Sequence, residues 1–200
     1  MESDRTVPSS RRAFLTTLGT VGLAGCLGGL PGGGASGVTL YVGAYHWGFV
    51  VLDESGEELD RSVVDWGTPL SLAAFNAGAE RAVRALPRAV REALPDHEAL
   101  EGRNEGRVPP PRDGTLHERL EAANERYPDH SLAVMPSGGN HMGGMGGGMM
   151  MHPVALPRDA SSPTVVRLSA SRRGDFTLSC RTYCGYGHPY MDLDGAIVVR

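Results

Sequence analysis

Apolar and polar positions change period along the chain, and the changes mark its elements. From Val38 to Leu52 the residues are dense in β-branched and aromatic types, a composition that favours a pleated, half-buried strand. Asp53-Glu54-Ser55-Gly56 then supplies a turn. Farther on, Ala79, Val83, Leu86, Val90 and Leu94 recur every three to four positions, with Arg81, Arg84, Arg88 and Arg91 on other faces. That spacing predicts an amphipathic helix, which Pro87 kinks or splits. Between Pro95 and Gly114 the chain is polar and contains Pro109-Pro110-Pro111, so an exposed loop is expected there. Thr115-Leu116-His117-Glu118 has the form of a capping box, in which the Thr hydroxyl and the Glu carboxylate satisfy N–H groups at a helix start. A short helix to about Glu125 follows, closed by Pro128. Strand patterning returns over Ser131 to Met135, Thr164 to Ala170, Phe176 to Cys180 and Ala196 to Arg200. Strands toward both ends, with helices confined to the middle at about residues 76–126, predict a mostly β fold. The expected architecture is a β-sandwich over residues 38–200 carrying a helical insertion.

Charge narrows the function classes. The 200 residues carry 19 basic groups, all of them Arg, against 23 acidic ones, for a net charge of −4. That balance argues against a nucleic-acid binder working by phosphate neutralisation. No charged side chain occurs between Arg12 and Asp53, yet frequent Gly and the break at Pro31 make the stretch a poor membrane-spanning helix. Its start is more telling. Ser9-Ser10-Arg11-Arg12-Ala13-Phe14-Leu15 sets paired arginines before an apolar run that ends in Leu23-Ala24-Gly25-Cys26. This resembles a twin-arginine export signal, residues 1–25, joined to a lipoprotein cleavage box. Cys26 would become the lipidated N-terminus, and the Gly-rich residues 26–37 a tether. The resemblance implies an exported protein anchored by lipid to the outer face of the cytoplasmic membrane.

The candidate chemistry lies near the C-terminus. Cys180-Arg181-Thr182-Tyr183-Cys184-Gly185-Tyr186-Gly187-His188-Pro189-Tyr190-Met191 brings two thiols, an imidazole and a thioether into one loop between predicted strands. Soft sulfur ligands combined with imidazole favour copper, and the Met argues against structural zinc. A mononuclear blue-copper site needs only one Cys, so the second is informative. This C-x3-C-x3-H-x2-M segment resembles the ligand loop of the binuclear copper (CuA) domain of cytochrome c oxidase subunit II, a member of the cupredoxin superfamily with a Greek-key sandwich. The resemblance implies two copper ions bridged by Cys180 and Cys184, with His188 as one terminal ligand, Met191 as axial thioether and the Thr182 carbonyl as a further donor. It takes the second His from a stretch similar to Asp129-His130-Ser131, hence His130, with His141 and His152 as alternatives. Tyr45-His46-Trp47-Gly48-Phe49 resembles the strand through which that family receives electrons, which makes Trp47 the candidate for that step, against a plain core role. Thr182 stands where the family commonly has a magnesium-binding Glu, and the family's transmembrane hairpin has no counterpart.

Two further features keep alternatives open. A Gly/Met-rich segment, residues 138–152, holds His141, Met142, Met145, Met149, Met150, Met151 and His152. Neutral thioethers can hold Cu(I) without proton competition, so these residues are a possible secondary copper site, and no packed core is expected of them. The leading reading is a single-electron relay, not a catalyst by itself. The family implies a small cytochrome or blue-copper donor, a haem-copper oxidase or similar reductase as acceptor, and a role as the oxidase's electron-receiving subunit. The alternative is a copper-delivery or storage lipoprotein. A Cys180–Cys184 disulfide is the structural alternative. His97 and His117 are expected at the surface and not as ligands.

Overall fold

The computed structural model describes residues 37–104, 106–138 and 149–200. Two mixed sheets face each other. In chain order the strands are β1 (Val38–Tyr45), β2 (Gly48–Leu52), β3 (Ser62–Val64), β4 (Pro69–Asn76), β5 (His130–Pro136), β6 (Met151–Leu156), β7 (Thr164–Ser169), β8 (Gly174–Ser179) and β9 (Asp192–Val199). One sheet runs β2-β1-β4-β7 and the other β3-β9-β8-β5-β6. The β1–β4 and β3–β9 pairs are parallel and the rest antiparallel. This is a mostly β, cupredoxin-like sandwich. No helix among the described residues is long and apolar enough to cross a membrane.

Between β4 and β5 come four helices, α1 (Glu80–Arg84), α2 (Arg88–Ala93), α3 (His97–Asn104) and α4 (Leu116–Arg126). Pro87 separates the first two and occupies the N-cap position of α2, because a proline ring cannot continue the preceding helix. The capping box at α4 forms as its residues require: Glu118 N–H donates to Thr115 Oγ1, and Thr115 N–H to the Glu118 carboxylate. Asn76, buried at the end of β4, ties the insertion to the sandwich. Its Nδ2 donates to the carbonyls of Pro128 (2.8 Å) and Leu156 (3.1 Å), and its Oδ1 accepts from Gly78 N–H.

The helices explain the burial of the first sheet. Its inner face contributes Leu40, Val42, Ala44, Leu70 and Leu72 to the inter-sheet core. Its outer face sends Tyr45, Trp47, Val50, Leu52 and Phe75 into a second apolar layer with Ala82, Leu86, Val90, Leu100 and Leu120 from the helices. Each such large side chain removed from water contributes about 1.5–3 kcal/mol. Strands covered on both faces lose polar/apolar alternation, and β2 is buried at all five positions.

Several expectations are corrected. Val38 to Leu52 is not one strand but the β1–β2 hairpin, closed by a two-residue turn at His46-Trp47. The polar stretch after Pro95 holds α3, and Leu100 and Val108 within it are buried. The Gly/Met segment does reach the core: Met149 and Met151 are buried in the inter-sheet layer. Strands β3, β4 and β6 were not anticipated.

Candidate metal centre

The segment from Cys180 to Met191 leaves β8 and re-enters the sheet as β9, and one hydrogen bond closes its neck, from Cys180 N–H to the Met191 carbonyl at 3.0 Å. Inside, a short 3-10 turn spans His188–Tyr190. His188 N–H donates to the Gly185 carbonyl and Met191 N–H to the His188 carbonyl. Two glycines let this loop seat. Gly185 has φ +99° and backs onto α4, so that a Cβ there would lie 2.3 Å from Ala123 Cβ. Gly187 packs on the β1–β2 turn, where a Cβ would meet the His46 carbonyl oxygen. Only glycine combines that φ with such close approach.

The loop turns its sulfurs inward. Cys180 and Cys184 are both free and buried, as is Met191. Cys184 Sγ lies 3.1 Å from Met191 Sδ and 3.5 Å from His188 Nδ1, while Cys180 Sγ lies 3.2 Å from the Thr182 carbonyl oxygen. His130, the first residue of β5, completes a triad with the two cysteines, whose ligand atoms all fall within 4.8 Å of one another.

His130 is the decisive residue chemically. It is 1% exposed, and neither ring nitrogen has a hydrogen-bond partner. A buried polar group normally finds a partner, because leaving one unmade costs on the order of 1–3 kcal/mol. Two unsatisfied imidazole nitrogens beside two thiols are what a soft metal ion would satisfy. The thiols are already poised for ligation. Contact with Cys184, aided by His130 and by the backbone at Ser131 and Thr182, holds Cys180 well below the usual thiol range. The same contact and burial raise Cys184. The two thiols are thus coupled, the contact favouring ionisation of Cys180 over Cys184.

Around the ligands stand residues that sequence reasoning passed over. His46 packs edge-on against His130, with ring centroids 4.6 Å apart, and its Nε2 donates to the Tyr127 carbonyl at 3.1 Å. Burial first, and His130 second, push His46 down to about 4, so it is neutral at physiological pH. Ser131 Oγ accepts from Arg181 N–H at 2.9 Å and lies 3.9 Å from Cys180 Sγ. A signal for His46 existed only in its position, a buried hairpin turn beside the candidate Trp47.

The remaining candidates divide. Trp47 is 2% exposed, packs in the layer beneath the helices, and meets the His97 ring edge-on at 5.5 Å. His97 itself is half-buried, and His117 is exposed and ion-paired to Glu101. Met150 and His152 face solvent on either side of the buried Met151, so the strand alternation of β6 points His152 away from the sandwich interior. The structure therefore joins His130, and not His152, to the cysteines. His141, Met142 and Met145 lie outside the described residues, as does Cys26.

No protein-family profile matches the chain, and no curated protein matches it. Among solved structures it is similar to the crystal structure of the periplasmic domain of subunit II of cytochrome oxidase of Bradyrhizobium japonicum, at 11% identity and a TM-score of 0.41, over 82% of this chain and 83% of that one. It is also similar to a heme-copper terminal oxidase dimer determined by cryo-EM, at 13% identity and a TM-score of 0.37. There it spans 81% of its own length and 63% of the other chain's. The His130, Cys180 and Cys184 cluster is a group whose ligand atoms could hold a metal ion.

Proposed function

We propose that the protein is a copper-binding electron-transfer protein whose centre holds two copper ions. The observation that carries this reading is buried His130, with both ring nitrogens unpartnered and two free thiols beside it. Cys180, Cys184, His130 and His188 would hold the ions, with Met191 and the Thr182 carbonyl as weaker donors. Copper held by two thiolates and imidazoles would supply a one-electron couple there. The chain's part is to fix geometry. Burial of both cysteines and of Met191 excludes water, and the Cys180–Met191 neck bond and the two seated glycines restrain the loop. A site held this tightly reorganises little on a change of charge, and neighbours such as His46 and Ser131 orient the ligands.

In this reading the protein is exported and lipidated at Cys26. It accepts electrons from a small cytochrome or blue-copper protein and passes them to a haem-copper oxidase or similar reductase. Copper stoichiometry together with a low-temperature electron paramagnetic resonance spectrum tests the centre. Two coppers per chain, with hyperfine splitting from one electron shared over both nuclei, is the expected result. A single copper with a mononuclear spectrum refutes it and leaves copper delivery or storage as the better account.

A further inference from the structure

A metal-bound imidazole is usually held at its second nitrogen, whose N–H donates to a carboxylate or a backbone carbonyl and so fixes the ring. His130 has no such partner. Both of its ring nitrogens are buried and unpaired among the described residues. They point in different directions from one ring, so only one of them can bind an ion seated beside the two cysteines. The orientation of this ring therefore rests on what packs against it.

The ring packed against it is His46. The two meet edge-on, with centroids 4.6 Å apart and planes inclined by 74°. His46 shares the β1–β2 turn with Trp47, and the two side chains part there. Trp47 enters the layer beneath the helices, while His46, equally buried, turns toward His130. Its ring is anchored in turn, because Nε2–H donates at 3.1 Å to the carbonyl of Tyr127, the C-cap residue of α4. A carbonyl oxygen only accepts, so the proton sits on Nε2 and the ring is tied to the end of that helix. The backbone of the same residue carries another contact. Gly187, directly before His188, packs so closely on the turn that a Cβ would meet the His46 carbonyl oxygen and lie 3.2 Å from Trp47 Cα. His46 thus touches β5 through its ring, α4 through its nitrogen and the metal loop through its carbonyl.

We infer that His46 is a positioning residue for the metal centre: its ring, locked by the Tyr127 carbonyl, sets which nitrogen His130 turns toward the metal, and its peptide seats the loop that carries His188. The inference rests on the copper-centre reading above. It makes histidine the required residue at this turn. A hydrocarbon ring fills the same space but cannot donate to Tyr127, and an amide can donate but does not replace the ring that packs on His130.

The test compares the copper-loaded full chain with His46→Phe, His46→Gln and, as a control for lost packing alone, Leu100→Ala. Leu100 is buried in the layer beneath the helices and not in the cluster that holds the cysteines. Pulsed electron paramagnetic resonance reads the couplings of the coordinated imidazole nitrogens, a redox titration reads the potential, and titration against a competing chelator reads copper affinity. In both His46 variants one of the imidazole couplings should change or vanish while the other stays, since the peptide that seats the loop is retained. The potential should shift, and affinity should fall by about tenfold to a hundredfold. Leu100→Ala should melt earlier and keep all three readings at their wild-type values. If both His46 variants load copper with wild-type couplings and affinity, His46 is not a positioning residue and the copper-centre reading stands. Wild-type readings in His46→Phe alone overturn the Tyr127 anchor, and the same changes in Leu100→Ala would reduce the effect to lost packing and overturn the assignment. A wild-type chain that takes up no copper, or whose copper shows no imidazole coupling, overturns the copper-centre reading itself.

Discussion

Replacing Gly185 by Ala tests whether the metal loop is seated by α4. Gly185 holds φ +99°, and an added Cβ would lie 2.3 Å from Ala123 Cβ and 3.2 Å from Ala123 Cα. Left-handed backbone costs an L-residue about 1–2 kcal/mol, and overpacking a close contact costs about 1–3 kcal/mol more. The sum, about 2–5 kcal/mol, corresponds for a chain of this size to a fall in Tm of about 5–15 °C. Function suffers in parallel, because Gly185 follows Cys184 directly and its carbonyl accepts from His188 N–H. The metal-free variant should melt earlier in a calorimetric or circular-dichroism scan, and copper titration should show weakened binding. A second substitution separates the two causes. Ala123→Gly removes the opposing Cβ at a helix-propensity cost of about 1 kcal/mol. In the double variant it should recover the steric part, about 1–3 kcal/mol, and leave the backbone part. If Gly185→Ala melts within about 2 °C of the wild type and binds copper equally well, the seating argument is wrong.

Other consequences are as open to measurement. If the proposed centre is right, Cys184→Ser removes one of the two sulfurs that would hold both ions, so copper analysis should give at most one ion per chain and the spectrum should lose any sign of a shared electron. Thr115→Ala breaks the capping box of α4 and should cost about 1 kcal/mol, a thermal shift of a few degrees. Asn76→Ala strands the buried carbonyls that Asn76 serves and should cost about 2–4 kcal/mol in denaturant unfolding, more than any exposed insertion residue. Stability of the metal-free protein should also fall with acid through His46. Its pKa drops from 6.5 when unfolded to about 4 when folded, so the unfolded chain takes up a proton first. The loss begins below about pH 6.5 and is complete near pH 4, and amounts to about 3 kcal/mol. In His46→Gln that part of the slope should vanish. A difference curve cancels the exposed His117, whose raised pKa acts in the opposite direction.

How far the chain could be read depended on whether its contacts were local. Cys180, Cys184, His188 and Met191 fall within one loop closed by one hydrogen bond, so their spacing alone carried the chemistry. His130 lies 50 residues before Cys180 and was reached through its neighbours Asp129 and Ser131. Where both faces of a strand are buried, the periodic signal vanishes. That is why β4, with the sequence Pro69-Leu70-Ser71-Leu72-Ala73-Ala74-Phe75-Asn76, escaped notice although it is central to its sheet. It holds no β-branched residue, and it suits a strand because β1, β7 and the helices enclose it. Helix α3 was hidden for the opposite reason, since Leu100 is its only buried apolar anchor. Methionines at 149 and 151 read as soft ligands in a low-complexity run, yet they pack as core, a use to which their flexible side chains are equally suited.

The arrangement that makes the centre legible also makes it costly without metal. His130 is enclosed with two unsatisfied nitrogens, and Cys180 and Cys184 are buried as free thiols beside it. The imidazole nitrogens would be hydrated in the unfolded chain, so their burial favours unfolding when no ion is present. An ion bound only by the folded state reverses the balance, stabilising it in proportion to the logarithm of its concentration over its dissociation constant. Folding and metal loading are therefore linked, and the sandwich must supply the difference while the site is empty of copper. The second apolar layer beneath the helices meets that demand. It covers the outer face of the sheet whose hairpin turn holds His46 against His130, and α4 holds Gly185 in place from the other side. In this fold the insertion acts as the rigid backing that keeps an intrinsically unfavourable cluster assembled for its ligand.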